Sequence, residues 1–460
     1  MARRRLPPFE LEITALAPKG LGLGVAPDGL PMKVRDAVPG SRIYVVPAGR
    51  RKGVWNGRKV HVVRPSADAA VPRCASFALC GGCRLQESSL DEQRRHKVVM
   101  ALSMVEGAGT SLEGVTVHDV RGADAAYAYR NRVEFSFGTR RWLSEADQAA
   151  GELHAGRFLG MHAPGRFDRV VDTERCELIS EPMNALLGAA RSVALQAEAP
   201  PPWDARSHEG FWRHLRLREG WHTAERLLTV FTASPTGDEA AWVERLASAV
   251  ADQVVGVVWV INDGVADVAR GDVRQVWGRP WFEERLGDRT FRLSHNSFFQ
   301  TNTLGAEVLY DTVAEAVGTG GTLLDLYCGA GSIGIYLADQ VDAVFGVEEV
   351  VAAVDDARAN AVRNGVEATF VAAKVEDALD QLSAGARVVV DPPRAGLHPK
   401  VARRLATMPA EGLVYVACHP ASLGRDAALL AEGGWRLQEL WIVDLFPQTG
   451  HIEMVGRFER

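Results

Sequence analysis

The spacing of hydrophobic and polar positions changes along the chain and divides it into three regions. Between residues 9 and 65, short apolar runs such as LEITAL and AVPGSRIYVV are separated by glycine- and proline-rich turns. Short strands joined by such turns predict a small, OB-like β-barrel. Residues 66–294 begin with a predicted helix over 90–106. They continue as short strands with a single helix over 181–197, which predicts a central, mainly β domain.

From residue 295 to 460 the pattern becomes an alternation of strands and helices. The apolar runs TLLDLY, AVFGVE, ATFVAA, ARVVVD and GLVYVA are short and rich in β-branched residues, with helical segments between them. Continuous apolar strands that alternate with helices are typical of parallel sheets covered on both faces. The sequence therefore predicts an open, Rossmann-like α/β sheet, closed at one edge by two further strands.

Composition places the chain among ordinary globular proteins, with 47% hydrophobic and 24% charged residues. The opening segment lacks the apolar stretch of a signal peptide. The most apolar internal run, residues 254–261, is far shorter than the roughly 18 residues that cross a bilayer. We therefore expect a cytoplasmic protein without membrane contact, and a monomer.

The net charge of −6 conceals an asymmetry between the first region and the rest of the chain. Residues 1–64 carry a net charge of +9, whereas the remainder carries −15. A basic appendage favours contact with a polyanion such as RNA, although a chance excess on a solvated surface gives the same count. Trp55 lies among these basic residues and could stack on a base, but a lone tryptophan more often belongs to a core.

A glycine-rich segment, LDLYCGAGSIG, connects the first strand of the α/β region to a helix. Glycines there allow a ligand to approach the backbone at the start of the helix. Glu348 ends the next strand, 19 residues after Gly329, where a carboxylate can hold a ribose. Gly329, Gly331 and Gly334 fit a dinucleotide site as well as an S-adenosylmethionine site, so this motif leaves both open.

Chemically active side chains follow the later strands of the same region. DPPR (391–394) ends the fourth strand, and YVACHP (415–420) ends the fifth with Cys418. A cysteine beside a ligand crevice is a candidate nucleophile, although most cysteines are small buried hydrophobes. DLFPQTGHIE (444–453) then places His451 and Glu453 before the last strand.

Half of the six cysteines lie in the segment CASFALCGGC, at positions 74, 80 and 83. In a non-secreted protein such a cluster indicates a metal or iron–sulfur site rather than disulfide bonds. Together with Cys176 it supplies four thiolates, which suit tetrahedral zinc or a [4Fe–4S] cluster. The residues alone slightly favour zinc.

The combined motifs FFQ, LDLYCGAG, VEE, VVVDPPRAGLHP, YVACHP and DLFPQTGHIE closely resemble those of the RNA 5-methyluridine (uracil-C5) methyltransferases. The cysteine segment with Cys176 is similar to the four-cysteine [4Fe–4S] arrangement of the ribosomal-RNA branch of that family. The first 64 residues resemble its TRAM RNA-binding domain, notably in KGLGLGV and VPGSRI. The resemblance covers almost the whole chain and is weakest across residues 185–290.

This resemblance implies a class I S-adenosylmethionine-dependent methyltransferase that modifies uracil C5, in 23S ribosomal RNA rather than transfer RNA. Cys418 would be the nucleophile and Glu453 the base that removes the C5 proton. The implied cofactor contacts are Gln300, Tyr327, Ser332, Glu348, Asp377 and Asp391. The implied [4Fe–4S] ligands are Cys74, Cys80, Cys83 and Cys176.

Some positions depart from the family pattern. Ala417 and His419 flank Cys418 where relatives often read S-C-N-P, and Ser41-Arg42 replaces a usual Gly-Glu pair. Cys328 is interpreted as structural. Two other functions remain open: an amino-group methylase, in which Arg394 would occupy the usual aromatic position and Cys418 would have no task, and a catalytically idle RNA-binding or assembly factor.

Overall fold

The computed structural model describes residues 6–378 and 385–460, which form two compact units. The first unit combines residues up to 73 with 83–126 and 304–460, and the second combines 74–82 with 127–303. The basic residues at positions 3–5 lie outside the described residues. The division into domains at residues 65 and 294 remains a prediction.

The first unit begins with a six-stranded N-terminal sheet of mainly antiparallel strands, in the order β1-β5-β6-β4-β3-β2. Its core includes Ile13, Met32 and Ile43, all fully buried. Trp55 is 8% exposed, and its Nε1 donates to Asp28 Oδ2 at 3.0 Å, which confirms its interpretation as a core residue. The TRAM barrel itself stays a prediction. The strands are β1 (Phe9–Glu12), β2 (Ala15–Ala17), β3 (Leu21–Val25), β4 (Pro31–Val34), β5 (Arg42–Arg51) and β6 (Val54–Arg64).

Helix α1 (Leu90–Glu106) follows in the same unit and confirms the helix predicted there. The Ser89 hydroxyl accepts a hydrogen bond from the Glu92 amide at its start, as expected of a helix cap. Its buried face contains Gln93 and Lys97 besides apolar residues. The short strand β7 (Thr116–Val117) then pairs, in parallel orientation, with the large sheet of this unit.

The second unit is built on a seven-stranded sheet, in the order β10-β9-β8-β11-β12-β13-β14, and a separate hairpin of β15 and β16. Its strands are β8 (Arg132–Arg140), β9 (Ala155–His162), β10 (Val170–Asp172), β11 (Trp212–Glu219), β12 (Arg226–Thr232), β13 (Gly256–Ile261), β14 (Asp272–Gly278), β15 (Trp281–Leu286) and β16 (Arg289–Ser294). Its helices are α2 (Glu145–Ala149), α3 (Glu181–Ala194) and α4 (Glu239–Ala249).

Helix α3 confirms the helix predicted from residue 181, but the expectation of a single helix among these strands is wrong. Helix α4 connects β12 to β13, and these two strands are parallel. Parallel neighbours need a crossover connection, usually a helix, whereas antiparallel neighbours can be joined by a tight turn. The apolar stripe of α4, which buries Val243 and Leu246, is short. The sequence therefore did not predict this crossover helix.

The remaining part of the first unit carries the α/β sheet. Its helices are α5 (Thr303–Val317), α6 (Ser332–Tyr336), α7 (Val351–Arg363), α8 (Pro399–Thr407) and α9 (Pro420–Ala431). Its strands are β17 (Thr322–Leu326), β18 (Ala343–Glu348), β19 (Ala368–Ala372), β20 (Arg387–Val390), β21 (Gly412–Ala417), β22 (Arg436–Val443) and β23 (Glu453–Glu459). Among the described residues, no helix has the length and apolar character needed to cross a membrane.

The order of this sheet is β19-β18-β17-β20-β21-β23-β22-β7, with β17 to β21 parallel and β23 antiparallel to β21. The predicted open α/β sheet with two closing strands is thereby confirmed. Strands β18 and β19 are added on one side of β17, whereas β20 and β21 are added on its other side. This change of side creates the crevice where such sheets bind ligands. The carboxyl ends of β17, β18, β20 and β21 all meet at this crevice.

Candidate active site

The turn after β17 exposes backbone to the crevice. Tyr327, Gly329 and Gly331 all have positive φ, of 65°, 54° and 75°. A Cβ on Gly329 would meet nothing within 4 Å, so open space lies beside this backbone. A Cβ on Gly331 would lie 2.8 Å from the Phe370 ring. One glycine therefore permits close packing, whereas the other leaves room for a ligand.

Glu348, at the end of β18, closes one side of this turn. Its Oε2 accepts from the Gly329 amide at 3.1 Å, and its Oε1 accepts from the Val350 amide at 2.9 Å. These bonds fix the orientation of a half-buried carboxylate whose other lone pairs can accept hydroxyl donors. The geometry fits the ribose-binding role predicted for Glu348.

Asp325 lies beneath the turn and was not among the predicted site residues. It is fully buried, and its Oδ2 accepts from the Gly334 amide at 2.9 Å. Burial raises the pKa of this carboxyl to about 7, and the charge of Glu348 adds to the shift. Its Oδ1 is buried and makes no hydrogen bond. A cation bound beside Glu348, such as the sulfonium of S-adenosylmethionine, would favour the ionised form of Asp325.

Asp391, Cys418 and Glu453 converge at the neighbouring strand ends. Burial raises the pKa of Cys418 to about 12, and the charges of Glu453 and Asp391 raise it further, whereas Arg394 opposes them. Burial also raises the pKa of Glu453 well above its usual range, with a contribution from Asp391. Burial raises the pKa of Asp391 to about 7. Because β21 and β23 are antiparallel and Ala417 pairs with Met454, the predicted nucleophile and base are neighbours at these strand ends.

Arg394, in the exposed part of DPPR, is the cation that acts on both of these groups. Its charge favours the ionised forms of Cys418 and Glu453. Its Nη2 lies 3.0 Å from His451 Nδ1, so the DPPR segment contacts the segment that carries Glu453. Sequence reasoning treated this arginine as a missing aromatic residue and gave it no role of its own.

His419, which departs from the family pattern, contacts Ser422 in the first turn of α9. Its Nδ1 lies 3.1 Å from Ser422 Oγ, and that hydroxyl lies within hydrogen-bond distance of the backbone oxygens of Arg394 and His419. Burial lowers the pKa of His419, and the charges of Arg394 and Arg425 lower it further. A neutral imidazole is therefore favoured beside the nucleophile.

Ser332 begins α6, and its hydroxyl is paired with a residue that the sequence did not identify. Tyr310 Oη lies 2.9 Å from Ser332 Oγ, and the Tyr310 ring is buried. Burial raises the pKa of Tyr310, and the charges of Asp391, Asp325 and Glu453 contribute, so this phenol belongs to the site's surroundings. In the sequence, Tyr310 occupies the position of an ordinary core residue of α5, so nothing there indicated a functional role.

The other predicted cofactor residues differ in how the structure places them. Tyr327 is half-buried, its phenol oxygen accepts from the His398 amide, and burial raises its pKa to about 12. Asp377 lies exposed in a one-turn helix, Val375–Asp377, and residues 379–384 of its loop lie outside the described residues. Gln300 belongs to the second unit, where its backbone oxygen accepts from Asn131 Nδ2 at 2.9 Å. The cofactor roles of these residues remain predictions.

The predicted metal ligands are split between the units. Cys74, Cys80 and Cys176 belong to the second unit and Cys83 to the first. The Cys74 sulfur accepts from the amides of Ser76, Phe77 and Glu177, whereas the Cys176 sulfur accepts from those of Leu178 and Ile179. The Gly82 amide donates to Cys80 Sγ at 3.3 Å.

Amide donors directed at cysteine sulfur stabilise thiolates and suit a metal or iron–sulfur site. Burial raises the pKa of both Cys74 and Cys176, and the charge of Cys74 adds to the shift at Cys176, so these two thiols are neighbours. In residues 6–378 and 385–460, however, no group of three or more His, Cys, Asp or Glu side chains is arranged to hold a metal ion. The contacts of Cys74 and Cys176 thus fit a pair of neighbouring thiolate ligands. The site with four thiolates stays a prediction.

Comparison with known proteins gives matches along the whole chain. A family model described as tRNA (Uracil-5-)-methyltransferase matches residues 281–458. An uncharacterized RNA methyltransferase of Chlorobaculum tepidum is 36% identical, over 98% of this chain and 96% of the relative. Another, of Caldanaerobacter subterraneus, is 34% identical over 96% of each protein.

A solved structure extends this similarity to the fold. The tRNA (uracil-54, C5)-methyltransferase of Pyrococcus abyssi, in complex with S-adenosyl-L-homocysteine, is 26% identical with a TM-score of 0.75. The match covers 98% of this chain and 100% of that protein. It confirms the predicted class I methyltransferase fold and favours S-adenosylmethionine over a dinucleotide. With the cradle described above, these matches show that the chain belongs to the family of S-adenosylmethionine-dependent RNA uracil-5-methyltransferases.

Proposed function

We propose that the protein methylates C5 of a uridine in RNA through a covalent adduct between Cys418 and C6 of the base. The observation that carries this proposal is that Cys418 and Glu453 are neighbours at the ends of β21 and β23, where Ala417 pairs with Met454. Asp391 lies close enough for its charge to add to the burial that raises the pKa of both groups. A thiol and carboxyl groups are the two kinds of side chain that such a reaction requires.

The chemistry explains this pairing. C5 of uracil is a weak nucleophile, and attack of the Cys418 thiolate on C6 moves the ring electrons onto C5 and the O4 enolate. S-adenosylmethionine, when bound, supplies the electrophilic methyl group that C5 accepts. Glu453 then takes the C5 proton, the C5–C6 double bond forms again, and the bond from C6 to sulfur breaks to release the thiolate. The uridine must leave its helix or loop for the thiol to reach C6.

Arg394 supports both stages, because a cation beside the thiol and the base favours the ionised form that each needs. Glu348 holds the ribose of the cofactor, and Tyr327, Ser332 and Asp391 line its pocket. Gln300 and Asp377 complete the proposed contact set.

The RNA substrate has two candidates. The cysteine segment and the basic N-terminal region resemble the ribosomal-RNA branch, so a uridine of large-subunit ribosomal RNA is the first candidate. The Pyrococcus abyssi enzyme acts on transfer RNA and aligns with 98% of this chain, which makes transfer RNA the second. Mass-spectrometric mapping of 5-methyluridine in both RNAs, with and without the gene, distinguishes them.

The proposed [4Fe–4S] cluster would be held by Cys74, Cys80, Cys83 and Cys176 and would have a structural role. Its support is the set of amide donors to three of these sulfurs and the proximity of Cys74 to Cys176. The ligands come from two segments of the chain, because Cys176 lies 93 residues after Cys83.

The covalent mechanism predicts opposite phenotypes for its two catalytic residues. Cys418→Ala should bind RNA and cofactor but neither transfer the methyl group nor form an adduct. Glu453→Gln should accumulate RNA on the protein when S-adenosylmethionine is present, because the methylated adduct keeps its C5 proton. A denaturing gel with labelled RNA, followed by peptide mapping, measures both. Normal turnover by Cys418→Ala, or an adduct on Cys328, would show that the nucleophile is wrongly assigned.

The reactivity of the Cys418 thiol should depend on Glu453. Removing the carboxyl in Glu453→Gln removes a charge that raises the Cys418 pKa, so the thiolate fraction should increase. Iodoacetamide labelling of the Cys418 peptide, followed from about pH 7 to about pH 10, should be faster in this variant. The gain should be largest at the alkaline end, where Glu453 is ionised in the wild type.

Cys328 provides the internal control for this experiment, because its raised pKa results from burial and from Asp325 and Glu348 rather than Glu453. Its labelling rate should be the same in both proteins. Equal rates at Cys418 would contradict the electrostatic coupling between the two residues.

Glu348→Ala should weaken binding of S-adenosylhomocysteine by about 1.5–3 kcal/mol, because a charged hydrogen bond to the ribose is lost. Calorimetry measures this change directly. Glu367→Ala removes the same charge from an exposed position after α7 and should bind as the wild type does. Tighter binding of NAD than of S-adenosylhomocysteine would overturn the cofactor assignment.

Anaerobically purified protein should be brown and contain about four irons per chain. Replacing any one of the four thiols should reduce soluble yield more than it changes the chemical step. Iron and zinc analysis of the same preparation decides the matter, and colourless protein with one tightly bound zinc would contradict the cluster.

A further inference from the structure

Residues 444–452 form the segment that leads to Glu453, and we call it the base loop. It is held by contacts that the reaction scheme does not use. All of them lie within the first unit. They come from α1 on one side and from the N-terminal sheet on the other, and each is made by buried polar atoms or by tightly packed glycines.

Helix α1 supplies the first attachment through Gln93, which is 1% exposed. Gln93 Oε1 accepts from the Gln448 amide at 2.8 Å, and its Nε2 donates to Gln448 Oε1 at 3.0 Å. The same Nε2 lies within hydrogen-bond distance of the Leu85 and Ser88 backbone oxygens. Gln448 has a φ of 68°, a left-handed conformation that a non-glycine residue keeps only when its surroundings enforce it.

Lys97 supplies the second attachment, one helical turn further along α1. Its fully buried Nζ donates to Asp444 Oδ1 at 2.7 Å and to the Phe446 backbone oxygen at 2.9 Å. Both ends of the ion pair are without solvent contact, so removal of one partner would leave a buried charge. Helix α1 therefore holds the start of the base loop as well as its middle.

The N-terminal sheet supplies the third attachment at the turn between β2 and β3. A Cβ on Gly20 would lie 2.8 Å from Gly450 Cα, and a Cβ on Gly450 would lie 2.0 Å from the Gly20 nitrogen. Gly20 also has a φ of 68°. The two backbones thus touch three residues before Glu453, and a side chain at Gly20 would force them apart.

A second connection follows the same path. Arg84 Nη1 donates to Asp36 Oδ1 at 3.1 Å, and the Arg84 amide donates to the Gln448 backbone oxygen at 2.8 Å. The N-terminal sheet is consequently linked to the base loop through Arg84 as well as through Gly20.

We propose that Gly20 and Gln93 are positioning residues for Glu453, so that the N-terminal sheet is part of the scaffold for proton removal. This inference rests on the proposed covalent mechanism. Displacement of the base loop should slow release of the methylated adduct, whereas attack by Cys418, which directly follows the parallel strand β21, should not be slowed. The N-terminal sheet then affects a chemical step.

The test compares Gly20→Ala with Gly29→Ala at saturating RNA. Gly29 also has positive φ, at 81°, but a Cβ there meets nothing within 4 Å, so its variant carries the backbone strain without the contact. Adduct formation is measured on RNA with 5-fluorouridine at the target, where proton removal is blocked in every variant. Release of methylated product is measured on ordinary RNA in a single turnover.

Gly20→Ala should form the fluorinated adduct no more slowly than the wild type but release ordinary product at least about tenfold more slowly, with adduct accumulating on denaturing gels. Gly29→Ala should resemble the wild type in both. Gln93→Leu should repeat the Gly20→Ala result, and Gln93→Glu, which keeps the acceptor for the Gln448 amide, should be less affected.

Equal slowing of both rates would show a merely structural effect and overturn the proposal. An effect confined to the RNA concentration dependence, or no effect, would overturn it too. Absence of a fluorinated adduct in the wild type would instead refute the covalent mechanism, so the two failures are distinguishable.

Discussion

The thiol of Cys418 and the carboxyl groups of Asp391 and Glu453 lie at neighbouring strand ends, where burial and the charge of Asp391 disfavour ionisation of both Cys418 and Glu453. Charges interact far more strongly in such a site than in water, so its protonation state is set by the positive charge available nearby. Arg394 is the protein's own contribution to that charge.

This electrostatic arrangement requires strand ends that do not move relative to one another. Asp426 supports two of them, because its Oδ2 accepts from the Tyr415 hydroxyl and from the Leu397 amide, both at 2.7 Å. Tyr415 lies on β21, three residues before Cys418, and Leu397 follows the DPPR segment that begins with Asp391. A single buried carboxylate therefore fixes the loops that carry the nucleophile and its acidic neighbour.

The α/β sheet and its strand-end residues could be predicted from sequence because buried parallel strands are continuous apolar runs, and the motifs follow directly after them. Helix α4 could not, since it depends on the parallel pairing of β12 with β13, which the sequence does not reveal. Asp325 and Tyr310 were missed for another reason. One lies inside an apolar strand and the other at a core position of a helix, and their part in the site results from tertiary packing.

Gln93 and Lys97 illustrate the same limit most clearly, because polar residues on a helix are ordinarily assigned to its solvent face. Their burial becomes understandable once the base loop is seen to need partners for Gln448 and Asp444. The α/β sheet supports both the nucleophile and the base, because Ala417 of β21 pairs with Met454 of β23. Helix α1 and the N-terminal sheet add support on the base side alone, through the loop that leads to Glu453.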